Sequence, residues 1–442
     1  MNKLTTCMLV IITCLAITAT SFNSFGTSNL FSKIMNEPER TTLDDANCTL
    51  QSIDEANALV VYPLLQRLVR TDFFKIFKVD LQGECPFWVM QKVCTGQGSC
   101  GVCECDDDDI PVSWKQTKVT PVNTFLGMQS KNKWTDKDVD CWTKVPDSHS
   151  MTYVNLLLNP ETRTGYSGEE ASRIWRAIYE ENCFKSGKLD DMCLEERVFY
   201  RLLSGIHASI TMKIATYYHL KNGTNATTAG YDAFEPNFQM YHYALEKFPD
   251  RVKNLYFIYT FTLRALQKAG TFFENYDYAT GNKTEDVYTQ KLVKKLLRDH
   301  SSHLCDNVFD EKLLFQSPDK VALLDQMKSH FRNISSIMDC VACEKCKMWA
   351  KIEILGLATA LKIVLADENE LPGILGGIQR NEVIALINSF KQHAQSISDL
   401  QVFRDLRWKQ EISPYISYLV TGVMALVIGR LLWHLLRDQL NK

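Results

Sequence analysis

The sequence predicts an all-α fold: a single, mostly helical domain from about Asn47 to Asp405, followed by a C-terminal hydrophobic anchor. Three observations carry this. Apolar residues recur at helical spacing in Ala56–Val69, Glu169–Glu181, Glu195–His219, Val252–Lys268, Asp310–Phe331, Ala342–Leu365 and Arg380–His393. No stretch shows the sustained period-two alternation of half-buried strands. No internal repeat or low-complexity segment divides the chain. With 442 residues, 45% of them hydrophobic, it can bury one large core or two ordinary ones.

At the N-terminus, Lys3 precedes the apolar run Met8–Ile17 and the small residues Thr18-Ala19-Thr20-Ser21. That is the layout of a secretory signal over residues 1–21. The run is shorter than the roughly 20 residues of a spanning helix, which favours cleavage near Ser21 over an uncleaved signal anchor. Residues 22–46 are polar and aperiodic, as in a linker. Glycosylation sequons stand at Asn47, Asn222, Asn225, Asn282 and Asn333. Five such sites behind a signal fit an exported glycoprotein. A net charge of −3 without any Lys/Arg stripe excludes nucleic acid as a partner.

Of fifteen cysteines, Cys7 and Cys14 lie in the signal, leaving an odd thirteen. These cannot all pair internally. A chain this large needs no staples to replace a missing core, so their density points to redox work as well as stapling in an oxidising compartment. Two clusters stand out: the Gly-rich loop with Cys94, Cys100, Cys103 and Cys105, and the run Cys340-Val-Ala-Cys343-Glu-Lys-Cys346. The loop ends in Asp106-Asp107-Asp108-Asp109, which reads as a solvated acidic run. At a helix start, the macrodipole and free amides stabilise a thiolate, and Lys345 and Lys347 add positive charge. Spacings of three put Cys340, Cys343 and Cys346 near one helix face, so a partner for Cys340 comes from elsewhere. The alternatives are a zinc site, which lacks a completing His or Cys set, and a thioredoxin-type module, which needs a strand before its C-x-x-C. No metal is expected.

Ile206, Ile210 and Ile214 stack at i, i+4, placing Ser204 and His207 beside an apolar ridge. Near the C-terminus, Ile412–Leu436 is apolar except for a few hydroxyls, Arg430 and His434. Its length suits a tilted transmembrane helix, with Arg430 snorkelling toward the interface and residues 437–442 forming a basic cytosolic tail. The alternative is an amphipathic helix on the body or on the membrane surface.

The motif Asp339-Cys-Val-Ala-Cys-Glu-Lys-Cys-Lys-Met-Trp-Ala-Lys resembles the signature of the endoplasmic reticulum oxidoreductin family, flavoenzymes that oxidise protein disulfide isomerase. Further matching words follow in that family's order: Cys85-Pro-Phe-Trp, Cys100-Gly-Val-Cys-Glu-Cys105, Leu156-Leu-Leu-Asn-Pro, Thr164-Gly-Tyr-Ser-Gly, Ile174-Trp-Arg-Ala-Ile-Tyr, Phe199-Tyr-Arg-Leu-Leu-Ser-Gly-Ile-His and Lys253-Asn-Leu-Tyr-Phe. The resemblance implies one helical luminal domain that holds FAD without a Rossmann fingerprint, in the endoplasmic reticulum membrane. FAD contacts carry over onto Thr164, Tyr166, Trp175, Ser204, His207, Arg251 and Arg264. The rings suit the flavin or adenine faces, and the arginines suit the diphosphate. A mobile shuttle pair, Cys100 and Cys105, is implied to take electrons from the isomerase and pass them to Cys343 and Cys346. Within that pair, Cys343 is attacked by the shuttle and Cys346 lies nearest the flavin. Molecular oxygen is then the acceptor, with hydrogen peroxide released. The same likeness implies structural bridges Cys85–Cys340 and Cys183–Cys193.

This sequence also departs from the family pattern. Thr162 stands where the family has an arginine, with Arg163 beside it. Cys103 is an extra cysteine between the shuttle pair, and Cys48 lacks N-terminal neighbours found in some relatives. No cysteine lies between Asp106 and Asp140, so an inhibitory bridge from Cys94 to that stretch cannot form. Regulation through Cys94 or Cys103 would use another pairing, and Cys141 and Cys305 have no assigned partner.

Overall fold

A computed structural model describes residues 50–89, 100–111, 114, 151–161, 169–182, 192–217, 219–220, 234–298, 311–316, 318, 320–409 and 413–440. The signal, the linker, Asn47, Cys48, Cys94, Cys141, Thr164, Tyr166, Cys183, Asn222, Asn225 and Cys305 lie outside the described residues.

The chain enters through α1 (Leu50–Ala56), a π-helical turn (Asn57–Val61) and α2 (Tyr62–Leu68), then the short α3 (Asp72–Lys75). Strand β1 (Ile76–Asp80) pairs antiparallel with β2 (Met151–Asn155), with Ile76 opposite Asn155 and Asp80 opposite Met151. Helices α4 (Glu169–Glu181) and α5 (Leu194–Thr216) follow, then the two-residue strands β3 (His219–Leu220) and β4 (Phe234–Glu235). Next come α6 (Phe238–Tyr241), α7 (Pro249–Lys268), α8 (Gly270–Asn275), α9 (Lys283–Arg298), α10 (Lys320–Met338), α11 (Glu344–Val364), α12 (Leu371–Gly377), α13 (Arg380–Arg407) and α14 (Ser413–Leu440).

The core is a bundle in which α5 packs on α7, α11 packs on α13, and the two pairs pack on each other. Helix α13 is buried without interruption from Glu382 to Ile397, the pattern of a central helix rather than a half-exposed one. Two glycines let these helices approach. A Cβ at Gly205 would stand 2.5 Å from the Asn254 carbonyl, and one at Gly356 would stand 2.7 Å from the Ala385 carbonyl.

Sequence and structure differ at several boundaries. The expected helix Glu195–His219 stops at Thr216, and the chain turns into the β3–β4 pair. The expected start at Asp310 gives way to a 3₁₀ turn at Glu311–Leu313, and the helix begins only at Lys320, beyond Pro318. Phe315 has a φ of 58°, a left-handed conformation rare for a bulky residue. Its amide donates to Glu195 Oε1 at 2.6 Å, which ties this loop to the head of α5. The expected Arg380–His393 helix runs on to Arg407. The β1–β2 pair carried no period-two signal because β1 has four of its five residues buried.

The bundle interior holds charge. Glu353, 0% exposed, lies 3.5 Å from Lys213 Nζ and 2.9 Å from His393 Nε2, while Lys213 also meets Glu161 at 2.5 Å. Burial works against the Lys213 charge, but Glu161 and Glu353 outweigh it, so its pKa is raised. Removing one partner leaves the others charged and desolvated. Glu353→Ala is therefore expected to destabilise the chain by about 3 kcal/mol, read as a lower urea midpoint at unchanged slope.

Helix α14 stands apart in character. Its stretch Tyr415–His434 is long and apolar enough to cross a membrane, and none of it is buried against the protein.

Candidate active site

Cys343 is the N-cap of α11, held in extended backbone conformation, and its sulfur accepts the Cys346 amide at 3.2 Å. The two cysteines form a disulfide with Cα atoms 5.2 Å apart. Cys343 is fully buried and Cys346 is half-buried. The free amides and dipole of the first turn of α11 stabilise thiolate here once the bond is reduced. Lys347 adds less than the sequence implied. It is buried, its ammonium donates to the Leu81 carbonyl, and its pKa is lowered first by burial and then by Lys351.

Cys340 lies between α10 and α11, so it does not share a helix face with the pair as its spacing predicted. It is bonded to Cys85, with Cα atoms 4.4 Å apart, which ties the strap after β1 to the turn before α11. Lys351 supports the same turn, donating to the Asp80 carbonyl at 2.8 Å and pairing with Asp339 at 2.5 Å.

Residues 100–105 lie across the head of α11. The Cys100 carbonyl accepts the Lys345 amide at 3.0 Å, and the Val102 amide donates to Glu344 Oε2 at 3.1 Å. Asn159 accepts the Cys103 amide and donates to the Cys103 carbonyl, both at 2.7 Å. Glu104 then bridges to Val154 of β2, and the Cys105 amide donates to the Tyr153 carbonyl at 2.9 Å.

Two expected pairings are corrected here. Cys105 and Cys103 are free thiols while Cys100 is disulfide-bonded, so the Cys100–Cys105 bond is not formed. The Cys100 sulfur is already bonded to another cysteine, and the ends of the segment are hydrogen-bonded to different elements, α11 and β2. Cys193 is also a free thiol rather than half of a Cys183–Cys193 bridge. It serves as the N-cap of α5, with the Glu196 carboxylate accepting its amide at 3.2 Å.

The Cys105 thiol is pushed up to about 11, first by burial, then by Asp109 and Asp106, against the opposing pull of Lys75. Burial and the acidic run together move Cys105 further from ionisation at neutral pH, and its thiolate fraction rises about tenfold per pH unit below that value. Asp109→Asn removes one repelling anion and lowers the pKa. The expected result is an alkylation rate at Cys105 about threefold faster at pH 8, measured with iodoacetamide and peptide mass spectrometry.

A second group gathers on α4, α5 and α7. The Trp175 and His207 rings stack at 3.8 Å with 11° between their planes, and the Tyr179 hydroxyl meets His207 Nδ1 at 3.2 Å. Burial, then Arg251, brings the His207 pKa down to about 3, so its ring is neutral. Ser204 accepts from Asn254 at 3.0 Å, and Arg251 donates to the Ala244 carbonyl at 2.8 Å. Arg264 pairs with Glu311 at 2.9 Å, and its buried Nε has no hydrogen-bond partner among the described residues. Arg251 and Arg264 are both on α7, about 20 Å apart along its axis at 1.5 Å per residue. They would meet opposite ends of one ligand rather than a single diphosphate. Flat neutral rings, a hydroxyl and two spaced cations fit a long ligand with planar and anionic parts, as FAD is.

Of the sequons within the described residues, Asn282 is exposed beside the head of α9, whereas Asn333 is half-buried within α10 with a buried Oδ1. Among the described residues, no group of three or more His, Cys, Asp and Glu side chains could hold a metal. Sequence reasoning missed Asn159, Glu344, Trp349 and Tyr179 as members of these groups. Asn159 had a signal, since it closes the word Leu156-Leu-Leu-Asn-Pro.

Comparison with known proteins gives a consistent result. The family model Endoplasmic Reticulum Oxidoreductin 1 (ERO1) matches residues 60–400. The chain is 39% identical over 384 residues to endoplasmic reticulum oxidoreductin-1 of Arabidopsis thaliana, covering 80% of this chain and 78% of the relative. It is 36% identical over 420 residues to ERO1-like protein alpha of Rattus norvegicus, covering 82% and 90%. Among solved structures it is similar to Ero1p, described as a source of disulfide bonds for oxidative protein folding in the cell. That match has a TM-score of 0.57 at 26% identity and covers 82% of this chain and 98% of the other.

Proposed function

Because the chain belongs to the endoplasmic reticulum oxidoreductin family, whose members are oxidoreductases acting on disulfides, we propose that it is an FAD-dependent thiol oxidase that reoxidises protein disulfide isomerase. One observation carries the reading: a dithiol–disulfide pair heads a buried core helix while a second cysteine segment is hydrogen-bonded to that same first turn.

The chemistry is a series of thiol–disulfide exchanges. When the segment lifts from α11, the Cys105 thiolate attacks the existing disulfide of Cys100 and expels that bond's other sulfur as a thiol. A thiolate of the isomerase then attacks the resulting Cys100–Cys105 disulfide. One S–S bond forms as one breaks, and the expelled sulfur takes up a proton from solvent. The partner's second thiol completes its own disulfide and leaves Cys100 and Cys105 reduced. With the segment docked again, a segment thiolate attacks Cys343, whose neighbours Glu344 and Lys345 hold the segment, and Cys346 leaves as a thiolate stabilised by the head of α11. The second segment thiol then resolves the mixed disulfide.

Trp175, Ser204, His207, Arg251 and Arg264 would hold FAD, joined by Thr164 and Tyr166. When bound, FAD supplies the two-electron acceptor for the reduced dithiol, with molecular oxygen as final oxidant and hydrogen peroxide released. The neutral His207 ring keeps a flat, uncharged face toward such a ligand.

Helix α14 anchors the domain in the endoplasmic reticulum membrane with its catalytic body luminal, and Arg437 and Lys442 on the cytosolic side. A thioredoxin-like oxidoreductase would need a strand before its C-x-x-C, and α10 stands there instead. A membrane-anchored cysteine-rich binding protein would show neither colour nor turnover.

The purified chain is expected to be yellow and to consume oxygen when given reduced isomerase. A colourless chain that stays inert after incubation with excess FAD would overturn the reading. Replacing Cys100 and Cys105 together by serine is expected to spare turnover of small dithiols while turnover of the isomerase is lost. Equal loss with both would remove the separate entry step.

A further inference from the structure

We propose that Asn159 is the latch that seats residues 100–105 on the head of α11, a positioning residue for electron transfer to Cys343 and Cys346. The proposal rests on the relay described above and adds a part that the relay itself does not specify.

Asn159 is 0% exposed and every polar group of its side chain is in use. Its carboxamide meets both the N–H and the C=O of Cys103 at 2.7 Å, pairing as a neighbouring strand would. Its Nδ2 also donates to the Asn155 carbonyl at 3.0 Å, which fixes the rotamer. Its own carbonyl accepts from Trp349 Nε1 at 2.8 Å. Trp349 lies three residues beyond Cys346 on α11, so one residue joins the cysteine segment to the helix that carries the dithiol.

The contacts flanking the latch explain why it is needed. Cys100 is disulfide-bonded, and among the described residues the segment's hydrogen bonds beside the latch are one backbone bond and one to the Glu344 carboxylate on α11, with a short bridge and the Cys105 amide bond to β2 on the other side. Asn159 supplies the paired contact between them. Because it binds main chain and leaves the Cys103 side chain free, it sets where the segment sits without consuming a thiol. Its bonds are neutral, and neutral hydrogen bonds contribute little enough individually that the segment can release and return.

The test uses the full chain with FAD bound and two variants, Asn159→Ala and the isosteric Asn159→Asp, which keeps the acceptor for the Cys103 amide but loses the donor to its carbonyl. Hydrogen exchange is read at the Val102 and Cys105 amides, which Asn159 does not contact. Oxygen uptake is measured with reduced isomerase and with dithiothreitol. The expected result for Asn159→Ala is exchange at both amides about tenfold faster, with β1 and β2 amides unchanged. The ratio of isomerase turnover to dithiothreitol turnover is expected to fall about tenfold, with Asn159→Asp at least as impaired in both readouts, because its buried carboxylate oxygen faces the Cys103 and Asn155 carbonyls, and the visible spectrum retained.

Unchanged exchange at Val102 and Cys105 would overturn the latch, as would faster exchange at β1 and β2 to the same degree, which marks a general loss of structure. Loosened amides with an unchanged turnover ratio would overturn the positioning role. Failure of the unmodified chain to consume oxygen with either dithiol would instead refute the relay, and the exchange data would still decide whether Asn159 latches the segment.

Discussion

Cys343→Ala is expected to leave the protein yellow and to cut oxygen consumption with reduced isomerase by about 10³-fold or more, roughly 4 kcal/mol of barrier. The group on α4, α5 and α7 proposed to hold FAD does not include this residue, so colour should survive. The bond from segment to dithiol has nowhere to form, so turnover should not. Cys343 also caps α11, and losing a cap costs on the order of 1 kcal/mol, which could be confused with a catalytic effect. Cys343→Ser separates the two, because serine caps well and cannot form a disulfide. Loss of turnover in both variants, with serine restoring the thermal midpoint, is the predicted pattern. Turnover within tenfold of the unmodified chain in either variant would sink the relay.

The second large effect is on stability. The Cys85–Cys340 bond joins positions 255 residues apart, and closing so long a loop removes more freedom from the unfolded chain than a short bridge would. Replacing both cysteines by alanine is expected to cost about 4 kcal/mol, read as a lower urea midpoint. Because this bond also fixes the turn before α11, the double variant should show faster hydrogen exchange at the first turn of that helix than in α13. A stability loss under 1 kcal/mol would show that the packing of β1 and α11 already holds the strap without the bond.

Much of the fold was legible because its long helices obey one rule. The stretches that became α4, α5, α7, α11 and α13 advertise themselves through apolar spacing, and the errors fall where local contacts override it. Pro318 and the left-handed Phe315 delay α10, and burial of four of the five β1 residues hides the strand. The Cys343–Cys346 pair was legible too, since a C-x-x-C at a helix start is a local signal. The docking of residues 100–105 was not. It depends on Asn159 and Glu344, which are 56 and 242 residues from the atoms they bind, and no spacing rule reaches that far. The bonding state of Cys100 and Cys105 was misread for a related reason. The Cys100 sulfur is bonded to another cysteine, and spacing alone does not say which of many cysteines a given sulfur will take.

The first turns of the domain are held by its last long helix: the Asn57 side chain donates to the Ala394 carbonyl, 337 residues further along the chain. A ribosome adding roughly 5 to 20 residues per second therefore leaves the N-terminal half without its packing partner for tens of seconds. During that interval Cys85, Cys100, Cys103 and Cys105 have emerged while Cys340, Cys343 and Cys346 have not, so early thiols meet only one another and the oxidants around them. Maturation of this protein is thus expected to be post-translational in its decisive step, and sensitive to the redox state of the compartment it enters.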